Sequence, residues 1–203
     1  MAEITPDLVK RLRDLTGAGM MDCKKALEES GGDIEAAVVL LRERGIAKAA
    51  KRAGRATGQG VVESYLHRTG DYPPQTGVLI ELNCESDFVA KGDEFRALAR
   101  ELAMHVAAAA PRWVSKDEVP ADVVEQEKAI YQKEAEESGR PAAALPKIVE
   151  GKLDAFYKDN VLLEQAWIRD PKVPIRDLIA ENVSKLQENI QVRRISRFAI
   201  KED

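Results

Sequence analysis

The residues that could carry out chemistry in this chain are few and widely separated. Two cysteines, Cys23 and Cys84, and two histidines, His67 and His105, occur, and no pair has the spacing of a zinc site. A Cys84–His105 nucleophile pair is conceivable, but no local motif supports it, so a thiol enzyme is only a third alternative. The stretch 17–22 begins like a dinucleotide fingerprint, yet it lacks the third glycine and follows a predicted helix. The sequence therefore predicts no metal, no cofactor and no catalytic site of its own, and the protein is predicted not to be an enzyme.

A short segment between a predicted strand and a predicted helix, residues 83–91, favours binding instead. It places Asp87 beside Phe88, which is one of only four phenylalanines. The pattern leaves two alternatives for Phe88: it folds back as a lid on the core, or it points outward as an interface anchor. An outward Phe buried against a partner would contribute roughly 1.5–3 kcal/mol. Asp87 could then accept hydrogen bonds or disturb a charge in that partner.

Two methionines form a second candidate binding surface. Met20 and Met21 directly follow a Gly-Ala-Gly turn. We expect Met21 to cover the small core of the N-terminal helices, whereas Met20 has no clear internal partner in the helical pattern. Flexible Met side chains at an exposed turn suit a binding surface, and burial of both side chains is the alternative.

Composition limits the class of protein. The 203 residues carry a net charge of -4, and 44% are hydrophobic while 33% are charged. The acidic balance argues against a dedicated nucleic-acid binder. The N-terminus does not resemble a signal peptide, and no apolar run approaches the roughly 20 residues of a membrane helix. We expect a cytoplasmic protein with two free thiols.

The chain is predicted to contain three parts. Residues 1–45 form a three-helix module that ends at Gly45, because apolar stripes at helical spacing alternate there with Gly-containing breaks. Residues 46–59 form a basic linker that is either a solvated, partly helical tether or a contact strip for an acidic partner or RNA. Residues 60–203 form an α+β core.

Within that core, the period of the hydrophobic pattern changes from helix to strand at Gly60. Runs at 61–67 and 77–83 predict an antiparallel hairpin whose second strand is central, and the run 191–200 predicts a third strand. The sheet should carry helices on one side. A helical hairpin at about 118–160 is predicted to project, since its first arm is highly charged.

The longer motifs resemble those of a known family. The stretches 12–27 and 81–90, together with 103–107 and 161–165, are similar to motifs of bacterial elongation factor Ts. The resemblance extends from about Thr5 to Phe198. The chain departs from the family pattern at Ser86, where Thr is commoner, and at Ala166-Trp167, where Pro-Phe is commoner.

The resemblance implies a guanine-nucleotide exchange factor for elongation factor Tu, the GTPase that delivers aminoacyl-tRNA to the ribosome. In that family, a tetrapeptide places its Asp-Phe pair between two helices of the GTPase domain, dislodges the magnesium ion and loosens the phosphate loop. GDP then leaves, so the exchange factor itself need not bind nucleotide. The matching residues in this chain are Ser86, Asp87, Phe88 and Val89.

The resemblance also implies further contacts and an assembly. The N-terminal module is similar to a ubiquitin-associated (UBA) domain, and Arg13, Met20 and Met21 fall on its positions of contact with the GTPase domain. His105 falls on another contacting position. The helical hairpin matches the family's coiled coil. Because the chain has a single copy of the core, it is expected to form a homodimer and a 2:2 complex with elongation factor Tu.

One alternative from another class is kept. A ribosome- or RNA-associated factor could use the basic linker together with Arg193, Arg194 and Arg197, and it would bind RNA in a salt-dependent manner. The negative net charge and the absence of an aromatic stacking platform disfavour it, so no direct nucleic-acid partner and no membrane partner are predicted.

Overall fold

The computed structural model describes residues 4–200 and contains eight α-helices and five strands over that range. The architecture is α+β, as predicted. The helices are α1 (Pro6–Thr16), α2 (Met20–Glu29), α3 (Ile34–Arg52), α4 (Asp87–Lys91), α5 (Asp93–Ala109), α6 (Ala121–Glu137), α7 (Leu145–Asn160) and α8 (Ile175–Leu186). The strands are β1 (Gln59–His67), β2 (Thr76–Cys84), β3 (Ala166–Trp167), β4 (Asp170–Pro174) and β5 (Gln191–Ala199).

Helices α1 to α3 enclose a small apolar core. The hydroxyl of Thr5 accepts the Leu8 N–H at 3.3 Å, and Gly17, with φ 65°, ends α1 by donating its N–H to the Arg13 carbonyl. The core is made of Val9, Leu12, Cys23, Ala26, Leu27 and Ala37. Three helices of this length need such a shared core because none is stable alone.

The prediction that α3 ends at Gly45 is wrong. The helix continues to Arg52, and Gly45 is a buried interior residue. A Cβ atom at this position would lie 3.7 Å from the Ser184 Cβ and 3.9 Å from the Ala180 carbonyl oxygen, both in α8. Packing of α3 against α8 thus overrides the helix-ending tendency of glycine, and the first part of the predicted linker is helical.

The predicted three-stranded sheet is confirmed, with strand order β1-β2-β5 and β2 in the centre. Alternate side chains of β2 are buried, as expected for one face packed on a core. The strand partners approach closely at Gly60, where an added Cβ would lie 2.3 Å from the Leu82 carbonyl oxygen. Only glycine fits there without displacing the backbone.

Helices α6 and α7 form the predicted helical hairpin. Val119, Phe156 and Val161 are buried at its base, with Trp113 packed against them. Gly139, with φ 67°, lies in the turn between the two helices. The strands β3 and β4, which pair antiparallel, were not predicted, because a two-residue strand leaves no detectable alternation in the sequence.

The chain divides into two compact units, each assembled from separated stretches. The first takes the residues up to Val61, then Leu82–Leu98 and Asp177–Gln191; the second takes Val62–Glu81, Ala99–Arg176 and the residues from Val192. The boundaries predicted at 45 and 59, the likeness to a UBA domain and the projection of the hairpin stay predictions. Among the described helices, none combines the length and the apolar character needed to cross a membrane.

Candidate partner-binding site

The exposed segment, residues 84–91, leaves the central strand and forms the short helix α4. Ser86 precedes this helix, and its hydroxyl accepts the Val89 N–H at 3.3 Å. Its carbonyl accepts the Ala90 N–H at 3.2 Å, and the Gly92 N–H closes the turn on the Val89 carbonyl at 2.9 Å. These bonds fix the backbone of five residues that are too few to form a stable helix unaided.

Phe88 points away from the protein and is 84% exposed. Of the two alternatives left open by the sequence, the outward position is therefore the observed one. Val89 is buried instead. Of the four predicted contact residues, Asp87 and Phe88 project while Ser86 and Val89 support them.

Asp87 is ionised at neutral pH in this setting. Its carboxylate accepts a hydrogen bond from the Lys91 ammonium at 2.6 Å, which lowers the pKa of Asp87 below its usual 3.8. Both side chains are largely exposed, so this ion pair contributes little stability, and a partner could replace Lys91 as the neighbour of Asp87 at small cost in free energy. The segment thus presents an apolar ring beside a negative charge.

A second exposed surface lies at the end of α1 and the start of α2. This methionine patch consists of Leu15, Met20 and Met21, which are 64%, 56% and 65% exposed. Arg13 is also exposed and lies two residues before Leu15 on α1. The expectation that Met21 covers the small core is wrong, since Ala26 and Leu27 fill the side of α2 that faces the core.

Leu15 has the helical spacing from Leu8 and Leu12 that predicts a core position, yet the structure exposes it. Helical angle alone would not have shown this, because Leu15 lies about 20° around the helix from Leu8, which packs against the core. Leu15 is the residue before the last one of α1, so it lies at the end of the helix.

The predicted contact residue His105 is fully buried. Its Nε2 lies 3.0 Å from the Gln165 side-chain oxygen, and the Ile168 N–H points at Nδ1 from 3.4 Å. Burial lowers the pKa of His105 below its usual 6.5. In this conformation the side chain has no surface to offer a partner, and its observed contacts position the chain around Gln165.

The cysteine alternative receives no support from the geometry. The Cys84 thiol donates a hydrogen bond to the Ser86 carbonyl at 3.2 Å, and burial raises its pKa to about 11. A nucleophilic cysteine needs a lowered pKa. Both ring nitrogens of His105 are engaged by Gln165 and Ile168. Across residues 4–200, no cluster of His, Cys, Asp and Glu has the arrangement of a metal site.

The cations of the predicted linker are mostly engaged within the protein. Lys48 pairs with Asp22 at 2.8 Å, and Arg55 lies 3.4 Å from Glu85. Arg52 donates to the Gln187 side-chain oxygen at 2.8 Å. Three of the four linker cations that suggested an RNA contact therefore already have partners.

Comparison with known proteins assigns the family. A family model described as "Elongation factor TS" matches residues 33–202. The elongation factor Ts of Fervidobacterium nodosum is 54% identical over 200 residues, which cover 98% of this chain and 100% of the relative. That of Coprothermobacter proteolyticus is 52% identical with the same coverage, and that of Carboxydothermus hydrogenoformans is 50% identical over 199 residues and 90% of its length. The resemblance seen in the motifs is thus confirmed, and the chain belongs to the elongation factor Ts family.

Proposed function

We propose that this protein is a guanine-nucleotide exchange factor that binds GDP-bound elongation factor Tu and promotes GDP release during translation elongation. The single observation that carries the proposal is the 84% exposed Phe88 beside Asp87, on a short helix fixed by its own hydrogen bonds, in a chain of this family. The protein would act in the cytoplasm as a binding protein without a catalytic site of its own.

The exposed segment is suited to act as a wedge. An exposed aromatic ring gains roughly 1.5–3 kcal/mol when a partner buries it, which can compensate for separating two packed helices in that partner. The Asp87 carboxylate adds a negative charge, which would disturb the charges around the partner's magnesium ion. Since that ion bridges GDP to the GTPase, its displacement weakens nucleotide binding.

Thermodynamic linkage makes the exchange reciprocal. If this protein lowers the affinity of elongation factor Tu for GDP by some factor, then bound GDP lowers the affinity of elongation factor Tu for this protein by the same factor. The complex would therefore be most stable with nucleotide-free elongation factor Tu, and rebinding of nucleotide would release the exchange factor.

The methionine patch supplies the second proposed contact. Arg13, Met20, Met21 and Leu15 are all exposed on α1 and α2. Met side chains adapt to the shape of a partner, so this patch would contribute affinity without demanding one geometry. We assign it to the GTPase domain of elongation factor Tu.

A homodimer is proposed from the outer face of the sheet. Val62, Leu66, Leu79 and Phe198 are exposed there, and Glu81 pairs with Arg194 at 2.6 Å. Adjacent exposed apolar side chains favour association, and a second copy of the same face would cover them. Two such protomers would each bind one elongation factor Tu in a 2:2 complex.

The experiment that tests the exchange function is stopped-flow release of fluorescent GDP from elongation factor Tu at increasing concentrations of this protein. We expect saturable acceleration with the wild type and a plateau rate about tenfold lower with Phe88→Ala, since the wedge is removed. Tyr72→Ala is the matched control, because Tyr72 is also an exposed aromatic residue and lies in the β1–β2 loop. Equal plateau rates for the wild type and Phe88→Ala would refute the wedge.

Sedimentation at micromolar concentration tests the assembly. We expect a dimer for the wild type and a monomer for Leu79→Arg, while Ile130→Arg on α6 should stay dimeric. A wild-type monomer would rule out the 2:2 complex but not the exchange activity.

A further inference from the structure

Glu188 lies between α8 and β5, and its carboxylate accepts three hydrogen bonds from the start of the exposed segment. Its Oε2 accepts the N–H groups of Glu85 at 3.1 Å and Ser86 at 3.0 Å. Its Oε1 accepts the Ser86 hydroxyl at 2.5 Å. A single carboxylate thus satisfies the backbone at the point where the chain leaves β2, as an acidic residue does at a helix N-terminus.

The bonding is reciprocal. The Glu85 carboxylate accepts the Asn189 N–H at 2.7 Å, and this bond, followed by the charge of Arg55, lowers the pKa of Glu85. The Asn189 side-chain amide donates to the carbonyls of Ala53 at 3.3 Å and Arg55 at 2.8 Å. We call these four residues, Glu85, Ser86, Glu188 and Asn189, the glutamate network.

The backbone before Glu188 adopts a disfavoured conformation. Gln187 has φ 62°, in the left-handed region that non-glycine residues rarely adopt. Its N–H donates to the Val183 carbonyl at 3.0 Å and ends α8, and the next residue is Glu188. A strained turn persists only where its surroundings determine it, and the hydrogen bonds of Glu188 and Asn189 do so here.

From these contacts we infer that Glu188 is a positioning residue for nucleotide exchange: its carboxylate fixes the direction in which Phe88 leaves the protein. The inference rests on the proposed function. At 84% exposure the Phe88 ring has little of the protein around it, so its direction must come from the backbone of residues 85–89. That backbone depends on Ser86, which both caps α4 and donates to Glu188.

Loss of the carboxylate would act on the rate of exchange more than on binding. Without it, residues 85–89 would occupy several conformations. The methionine patch would still bind the partner in all of them, so at saturation only the fraction with Phe88 correctly directed would act on the nucleotide site. A tenfold lower plateau rate corresponds to a competent fraction of about one tenth. The half-saturating concentration should change less, because the methionine patch is unaltered.

Stopped-flow GDP release from elongation factor Tu tests the inference with Glu188→Ala, Glu188→Gln, Phe88→Ala and the double variant Phe88→Ala/Glu188→Ala. We expect the plateau rate to fall about tenfold for Glu188→Ala and about threefold for Glu188→Gln, which keeps one acceptor oxygen. In the Phe88→Ala background, Glu188→Ala should cause no further loss. Glu101→Ala is the control, because Glu101 pairs with Arg169 and has no part in the network.

A partner-independent measurement separates this inference from the proposed function. Amide hydrogen exchange at Glu85, Ser86 and Val89 should be slow in the wild type and in Glu101→Ala, and at least about tenfold faster in Glu188→Ala and Glu188→Gln. Unchanged amide exchange in the two Glu188 variants overturns the inference, whether or not elongation factor Tu responds to the protein. A further tenfold loss from Glu188→Ala in the Phe88→Ala background also overturns it, since the effect would then not pass through Phe88.

If instead the wild type fails to accelerate GDP release while the amide exchange changes as expected, the proposed function fails and the structural part of the inference stands.

Discussion

The methionine patch and the exposed segment both present apolar side chains to solvent, but they are supported in different ways. Leu15, Met20 and Met21 extend from helix ends over a small apolar core, and the unbranched Met side chains can change rotamer to fit a partner. Phe88 extends from a five-residue helix whose backbone is fixed by Ser86 and Glu188. The methionine patch can therefore adapt its shape to a partner, whereas Phe88 is held in one direction.

This difference indicates a division of labour. An adaptable surface contributes similar binding energy in every state of the partner, which lowers the concentration needed for binding but does not accelerate exchange. A directed side chain can act on one state selectively, and only such a difference shifts the nucleotide equilibrium. The comparison predicts that variants of the two regions will change different kinetic parameters.

The largest effect on the half-saturating concentration should come from replacing Arg13 and Met20 together by alanine. The double variant loses a cation and much of an apolar side chain, so we expect that concentration to rise about tenfold while the plateau rate stays within twofold of wild type. Titration of GDP-release kinetics measures both. Val39→Ala is the control, because Val39 is also an exposed apolar residue but lies on α3, outside the methionine patch. Normal affinity in the double variant would remove the patch from the interface.

A smaller effect is expected from Leu15→Ser. Only part of one side chain is lost, so the half-saturating concentration should rise about threefold, and the unfolding temperature should not decrease because Leu15 is already 64% exposed. The same titration and a thermal melt check both statements. A decrease of several degrees in the melt would mean that Leu15 contributes to the core after all.

His105 should affect stability rather than contact. Its pKa is lowered by burial, so below its usual value of 6.5 the unfolded state binds more protons than the folded state. Stability is therefore complete above pH 6.5 and is lost as the pH falls toward the lower folded pKa. Melts between pH 8 and 5.5 should show this loss in the wild type and a weaker one in His105→Gln. His67→Gln, which changes the only other histidine, should behave as the wild type.

The smallest effect is expected from Gly45→Ala. A Cβ there would make ordinary contacts at 3.7–4.0 Å, and alanine is favoured over glycine inside a helix by roughly 0.5–1 kcal/mol. The unfolding temperature should rise by about 2–4 °C with unchanged exchange kinetics. A fall in stability would mean that α3 and α8 need the closest approach that glycine allows.

Much of this architecture could be predicted from local patterns. Capping residues predict the starts of α1 and α3, at Thr5 and Asp33. Turn residues and the hydrophobic period predict the hairpin of β1 and β2 and the central position of β2. The end of α3 could not be predicted in this way. Glycine locally favours a helix end, and α3 continues through Gly45 only because it packs against residues about 135 positions later.

The position of the candidate site could be predicted from the sequence, but the hydrogen bonds that hold its backbone could not. Asp87 and Phe88 stood out by type, whereas Glu188 is a glutamate in a charged chain and carries no local signal. Its role depends on hydrogen bonds to residues about 100 positions earlier, which no periodicity encodes. His105 was expected to contact a partner but is buried, because its position in the family motif does not specify its solvent exposure in this chain.

The thiol of Cys84 has a consequence for oxidative stress. Burial raises the pKa of Cys84 to about 11, so very little thiolate is present at pH 7, and the thiolate is the form that peroxides attack. The residue that begins the exposed segment is therefore slow to form sulfenic acid. We expect Cys84 to stay reduced in peroxide treatment that oxidises acidic, accessible thiols.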